Sequence, residues 1–252
     1  MSGHNKWSTI KRKKGAADAK RGQMFTRLGR EIALAAREGG GDPDSNFKLR
    51  LAVDKARAAN MPKDNIERSI LRGTGGLGGE ALESIMYEGY GPHGVAVLVD
   101  ALTDNRNRTV SDLRRAFSRG GGVLAEAGAV GWQFARKGYL SIPAEGQDSD
   151  AIFEMTVEAG ADDVIPGNEV IEVYAPTDSF QAVRQRLIEA EVPIDEAEIT
   201  MVPNQHMELD PKDTIQVMGF IEGIEELDDV NRVFSNLNVS EAALAQYEAE
   251  EA

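Results

Sequence analysis

Apolar positions recur at three- to four-residue steps through the first third of the chain, then shift after residue 80 to short alternating or continuous runs. Phe25, Leu28, Ile32 and Ala35 share one side of a helix predicted over 20–37, which Gly39-Gly40-Gly41 ends. A second helix is expected from Asp44 or Ser45 to about Ala59, with Phe47, Leu51 and Ala52 competing with Leu49 and Val53 for its core face. Pro62 suits the first turn of a third, which carries Ile66 and Ile70 inward and stops at Gly73. Three short helices with brief connections predict a small bundle, and the glycine-rich stretch 74–80 predicts a linker.

Beyond the linker, Ser84–Glu88 and Val95–Leu102 have strand patterning around the turn Gly89-Tyr90-Gly91-Pro92-His93-Gly94. Thr109–Arg119 is expected to be a helix closed by Gly120-Gly121-Gly122, and Ala129–Ala135 a strand. From Gly138 the order is strand Tyr139–Ile142, helix Ser149–Glu158, strand 162–165, strand 169–174, helix 178–190 and strand 198–202. Pro166-Gly167-Asn168 turns between the middle strands. That βαββαβ order is the ferredoxin-like split unit. Asp210–Val239 is expected to hold two helices and a short strand, and 241–252 a helical or frayed acidic tail.

Charge adds a polarity that the net value of −14 conceals. Residues 1–75 carry 17 Lys/Arg against 8 Asp/Glu, 76–137 balance at seven of each, and 138–252 carry 4 against 27. One end should therefore attract a polyanion and the other repel it. The absence of cysteine removes disulfides, thiolate catalysis and Cys-based zinc sites, and fits a reducing cytoplasm, the expected location. No apolar run reaches membrane-span length.

Few motifs point to catalysis. Gly73-x-Gly75-x-x-Gly78 and Gly89-x-Gly91-x-x-Gly94 match the dinucleotide fingerprint in letters only, since neither joins a strand to a helix N-terminus. His4, His93 and His206 lack second ligands at metal-binding spacing, so no metal or cofactor is expected, nor any evident small-molecule substrate. An enzyme built around the Tyr87–His93 turn would rely on His93, for which the sequence offers no orienting partner. Basic side chains point elsewhere. Lys6, Lys11, Arg12, Lys13 and Lys14 surround Trp7 in an N-terminal arm suited to phosphates and a stacked base. Arg27, Arg30 and Arg37 share a face of the first helix. Arg108, Arg115 and Arg119 fall opposite Val110, Leu113 and Phe117 on the later one, against the plain alternative of a solvated face.

Several segments together carry a family likeness. Met1–Trp7, Asp18–Gly22, Arg30-Glu31-Ile32, Asn60–Arg68, Tyr87–Pro92, Leu102–Thr109 and Asp228-Asp229-Val230 closely resemble the YebC family, which includes PmpR-type regulators. The resemblance covers essentially the whole chain. It implies an α+β protein of three domains: an N-terminal helical bundle, a discontinuous mixed α/β middle domain, and a ferredoxin-like βαββαβ acidic domain. The expected divisions are a basic arm 1–19, a helical nucleic-acid-binding domain 20–79, a middle domain 80–137 plus 205–240, an acidic domain 138–204 and a tail 241–252. Asn5 and His93 replace the more usual Ser and Gly, and Gly29 interrupts the first helix at a cost of roughly 1 kcal/mol relative to Ala.

The function implied is that of a non-enzymatic, DNA-binding transcriptional regulator of the cytoplasm. The alternative, from the mitochondrial relative and from bacterial members linked to the ribosome, is a ribosome- or rRNA-associated translation factor. Phosphate contacts are expected from Lys6, Lys11, Arg12, Lys13, Lys14, Lys20, Arg21, Arg27 and Arg30, extended by Arg108, Arg115 and Arg119, with Trp7 stacking. Charge alone does not choose between DNA and ribosomal RNA, and an adaptor whose acidic domain binds a basic protein is the rival from another class.

Overall fold

The computed structural model describes residues 18–76 and 82–250. The N-terminal unit is three helices, α1 (Asp18–Gly39), α2 (Phe47–Ala58) and α3 (Lys63–Gly73). Leu28, Ile32 and Ala36 of α1 meet Leu49, Val53 and Ala56 of α2 and Ile66 of α3 in one core. Asn46 caps α2, its Oδ1 accepting from the Leu49 amide at 3.1 Å while its Nδ2 donates to the carbonyls of Ala35 and Gly40. Gly29 has a packing reason for its place in α1: a Cβ there would stand 3.0 Å from the Ser69 hydroxyl of α3.

The middle unit is a four-stranded sheet in the order β3-β1-β2-β9, built from β1 (Glu83–Tyr90), β2 (Ala96–Thr103), β3 (Val123–Ala125) and β9 (Val230–Ser235). β2 is buried on both faces except at the half-buried Asp100, which explains its nearly continuous apolar run. Val95, Val97 and Val99 face α4 (Arg106–Arg119) and α7 (Pro211–Glu225), meeting Leu113, Phe117, Val217 and Ile221, while Ala96 and Leu98 face Phe134 and Phe234. The C-terminal segment thus closes the sheet that β1 begins.

The third unit runs β4 (Phe134–Pro143), α5 (Ser149–Glu158), β5 (Asp163–Ile165), β6 (Val170–Pro176), α6 (Phe180–Glu189) and β7 (Glu196–Pro203). Its sheet order is β5-β6-β4-β7, antiparallel throughout, which is the ferredoxin-like arrangement. The fold is α+β, as the resemblance implies.

Two local expectations are corrected. Ala129–Gln133 is a turn rather than a strand, because the carboxylate of Glu88 gathers its backbone amides; the strand starts only at Phe134. Asp210–Val239 contains one helix, α7, followed by β9 and the short β10 (Leu237–Asn238), which pairs in parallel with β8 (Met207–Glu208). The C-terminal stretch forms α8 (Glu241–Glu250), whose Ala243 and Leu244 enter the middle core.

The units are packed together. The two competing faces of α2 are both used: Leu49 and Val53 serve its own bundle, while Phe47 and Leu51 lie against the third unit's core, with the Phe47 and Phe180 rings 6.1 Å apart. Arg184 of α6 reaches Asp54 of α2 at 3.0 Å.

Candidate nucleic-acid interface

The sequence-predicted cations separate into three groups. Lys6, Trp7, Lys11, Arg12, Lys13 and Lys14 lie outside the described residues, as does the side chain of Lys20, whose backbone belongs to the first turn of α1. Arg21 is exposed, its guanidinium 5.6 Å from the Phe25 ring centroid. The remainder are in the folded body, where several are already engaged.

Arg27 donates to the Glu225 carbonyl, and burial lowers its pKa. Arg30 donates to the Asp228 carbonyl at 2.5 Å and lies 3.5 Å from the Asp229 carboxylate, while Arg37 donates to the Leu82 carbonyl at 2.7 Å. Arg108 donates from Nη2 to both carboxylate oxygens of Asp229, at 2.8 and 2.9 Å, from Nε to one of them at 3.1 Å, and from Nη2 to Asp104 at 2.8 Å. The hydrogen bonds to Asp229 and then Asp104 raise the Arg108 pKa, and the Arg108 hydrogen bond holds Asp104 below the ordinary carboxylate value. Asp229 itself is 6% exposed and also accepts from the hydroxyls of Thr109 and Thr103, at 2.8 and 3.3 Å. Arg27, Arg30 and Arg108 therefore tie α1 and α4 to the α7–β9 connection. They are not an open row of phosphate donors.

What the helical wheel of α4 could not include was Asp229, 121 residues further on. The wheel itself holds, since Leu113 and Phe117 are buried and Arg115 and Arg119 exposed. Arg115 has only a loose pairing with Asp112 at 3.7 Å, and Arg119 has no ion pair among the described residues. Arg114 is likewise exposed without one, and so are Arg68 and Arg72, one turn apart on α3. Sequence reasoning missed these three, although the four-residue spacing of Arg68 and Arg72 was a legible signal.

Just past Arg119 and its glycines lies an apolar surface. Tyr90 and Val123 are register partners on β1 and β3, and they are 38% and 66% exposed. The Tyr90 hydroxyl and the Trp132 indole N–H both donate to the Ala129 carbonyl, each at 3.1 Å, and Trp132 is 73% exposed. The turn beneath is fixed: Glu88 accepts amides from Gly128, Val130 and Gly131, all at 2.7 Å, and Asn204 donates to the Trp132 carbonyl at 3.1 Å. Gly89 permits close packing here, as a Cβ would come within 2.3 Å of the Phe117 ring.

Desolvation opposes the charge on Glu88, but the three amides outweigh it and leave the carboxyl below its ordinary value. A depressed folded-state value means stability present above the unfolded pKa, near 4.3, and lost as pH falls through the folded value. Glu88→Gln, which turns an amide NH₂ toward these donors, is expected to lower the unfolding free energy by about 1–2 kcal/mol after allowing for water access. In denaturation series the gap from the parent should be full above about pH 5 and close in acid.

Two family models match this architecture: the TACO1/YebC protein N-terminal domain over residues 5–76, and the TACO1/YebC second and third domain over 82–237. The chain belongs to the TACO1/YebC family. A probable transcriptional regulatory protein of Herpetosiphon aurantiacus is 52% identical over 248 residues, 98% of either chain. One from Chlorobaculum tepidum is 47% identical over 251 residues, covering 99% of this chain and 100% of the relative. A crystal structure of a conserved hypothetical protein from Aquifex aeolicus matches at TM-score 0.81 and 44% identity, covering 89% of this chain and 93% of that one. The relatives' names are regulatory, not catalytic.

Two segments that carry the family likeness, Leu102–Thr109 and Asp228–Val230, are one hydrogen-bonded unit centred on Asp229. A third, Tyr87–Pro92, contributes Glu88 and Tyr90 to the exposed aromatic turn. His93, in the left-handed region at φ 59°, does have partners: its ring nitrogens lie 3.3 Å from Asp213 and 3.0 Å from Gln216, fastening the turn to α7. Both nitrogens are thereby engaged. Among the described residues no cluster of three or more potential metal-ligating side chains occurs, and no helix is long and apolar enough to cross a membrane.

Where the three units meet, a cleft of about 560 Å³ is lined by Glu31, Lys55, Arg136, Glu198, Arg232 and their neighbours. Four of these five charges are paired with one another. Lys55 stands 3.2 Å from Glu31, and Arg232 stands 2.5 Å from Glu198 and 3.8 Å from Glu31. Desolvation opposes charge on Glu31, but Lys55 and Arg232 outweigh it and lower its pKa. Glu198 and Glu31 likewise outweigh desolvation and raise that of Arg232. These pairs join the units, while Arg136 has no ion pair among the described residues.

Proposed function

We propose that this protein is a non-enzymatic, nucleic-acid-binding regulator of gene expression acting in the cytoplasm. The observation that carries the reading is that four exposed arginines of α3 and α4, Arg68, Arg72, Arg114 and Arg119, have no ion pair among the described residues, in a protein of net charge −14 whose N-terminal sequence is basic. Cations left unpaired among so many carboxylates are expected where an external polyanion supplies the missing charge. Lys6, Lys11, Arg12, Lys13, Lys14, Lys20, Arg21, Arg115 and Arg119 remain in the proposed phosphate-contacting set, joined by Arg68, Arg72 and Arg114, with Trp7 as a stacking residue. Arg27, Arg30 and Arg108 leave it, because their guanidinium groups are already hydrogen-bonded within the chain.

The third unit, with 15 Asp/Glu against 4 Lys/Arg over residues 134–203, faces away from the polyanion and limits indiscriminate binding. The relatives' names support a role in transcription. The ribosome is the second reading, favoured by the arrangement of the basic helices: α4 is tied at its N-terminal end to Asp229 and offers no free recognition helix for a major groove. Genomic DNA occupancy and ribosome co-sedimentation measured in the same cells separate the two. Sequence-selective occupancy supports transcription, ribosome association without it supports translation, and neither would sink the proposal.

A further inference from the structure

We infer that the basic N-terminal segment, residues 6–14, docks on the outer sheet face of this chain's own acidic unit and leaves it when a nucleic acid takes over its cations. The docking stands on the acidic face itself. Its release rests on the nucleic-acid reading above, and it gives a mechanism to the restraint on indiscriminate binding ascribed there to the third unit.

The face follows from strand register. Helices α5 and α6 cover one side of the β5-β6-β4-β7 sheet, with Ile152, Phe180 and Val183 in one core with Leu140, Ile142 and Val173. Side chains of the opposite parity point to the other side. The pairings align them in two rows across the four strands: Asp163, Tyr174, Tyr139 and Glu198 in one, and Ile165, Glu172, Ser141 and Glu196 in the next. Carboxylates thus stand on three of the four strands. Lys137, the one cation of this parity in the four strands, is 3.1 Å from Asp162.

This side carries neither helix of the unit, yet Tyr139, Ser141, Glu172 and Tyr174 are only 1–5% exposed. The Tyr139 hydroxyl donates to Glu172 at 3.2 Å, and the Tyr139 and Tyr174 rings are 5.3 Å apart. Glu198 meets Arg232 where the units join, but β6 and β5 lie two and three strands farther out, about 10 and 14 Å at the usual spacing. A carboxylate as buried as Glu172 is sustained by positive charge drawn over it.

Sequence says which segment can supply that charge. Residues 1–17 hold Lys6, Lys11, Arg12, Lys13 and Lys14 and no Asp or Glu, whereas Glu80 and Glu251 are the charged residues of 77–81 and 251–252. Reach permits the contact. Glu31 lies 13 residues, about 20 Å, along α1 from Asp18, and Arg232 links Glu31 to Glu198 at the edge of the face. Twelve residues separate Lys6 from Asp18 and span up to about 40 Å when extended.

Zero-length carbodiimide crosslinking of the dilute full-length protein, read by mass spectrometry, is the direct test. Amide links are expected from Lys11, Lys13 and Lys14 to Asp163, Glu196 or Glu198 within one molecule, and oligouridine should reduce their yield severalfold. Asp163→Asn combined with Glu196→Gln should tighten oligouridine binding by about 3- to 30-fold at about 50 mM salt. That gap should close toward about 300 mM, where the docked pairs are screened. Glu154→Gln combined with Glu158→Gln removes the same charge from exposed positions of α5 and should change binding by less than about twofold. The crosslinks are read on the parent, so a variant that fails to fold leaves the test intact. No link to these carboxylates, links only between molecules, or equal effects of the two double variants would overturn the docking while leaving the regulator reading intact. Links in a parent that binds no nucleic acid would keep the docking and overturn both its release and the regulator reading.

Discussion

Asp229→Ala is expected to lower the unfolding free energy by about 3 kcal/mol, the lower part of the range for removing one partner of a buried ion pair. Asp229 is 6% exposed and its two oxygens receive Arg108, Thr109, Thr103 and, more distantly, Arg30. Alanine removes the buried acceptor of Thr103 and Thr109 and leaves them only each other and the backbone of Asn105, while Arg108, which is half-exposed, can turn partly to water. For a chain of this size the melting temperature should fall by about 6–12 °C if the units unfold together. Asp228→Asn next door is the control: Arg30 uses the Asp228 backbone carbonyl, so that variant should stay within about 0.5 kcal/mol of the parent. Thermal and denaturant unfolding of the pair checks this, and equal stabilities would remove Asp229 from its place at the junction.

Replacing Lys11, Arg12, Lys13 and Lys14 together by alanine is expected to have the largest effect on binding. Each phosphate contact contributes about 0.7–0.9 to the slope of log affinity against log salt, so four contacts account for about 3. Over a decade of salt, a slope of three is about a thousandfold in affinity. The variant should fold as the parent does, and its residual binding, through Lys6, Lys20, Arg21, α3 and the end of α4, should be weaker with a salt slope smaller by about 3. An unchanged slope would place the phosphates elsewhere.

The helices and the ferredoxin-like unit were legible because their patterns are local: Leu28 and Ile32 repeat at helical spacing, and 139–202 alternates helix and strand in a recognisable order. The short β3, β8 and β10 were not, since two or three residues show no period by themselves; the equally short β5 was legible only through its place in the βαββαβ order. Ala129–Gln133 has strand-like composition, and a single carboxylate from β1 bends it into a turn. The candidate interface was half legible for the same reason. Positive charge is written in composition, but whether a guanidinium is free depends on residues far away in sequence: Arg27 and Arg30 meet Glu225 and Asp228 across 198 positions. Tyr90 was named only as part of a turn and Trp132 not at all, and only the shared Ala129 carbonyl makes them a pair.

The account stands on a polyanion meeting the unpaired cations of an acidic protein. Its most direct test is the dissociation constant of the full-length parent for single-stranded RNA and for duplex DNA across about 50–300 mM salt. The prediction is a straight line in log–log form with a slope steeper than about −4 for at least one of them, as expected if at least half of the twelve proposed cations contact phosphates. A slope near zero, or no binding to either at the lowest salt, would contradict it.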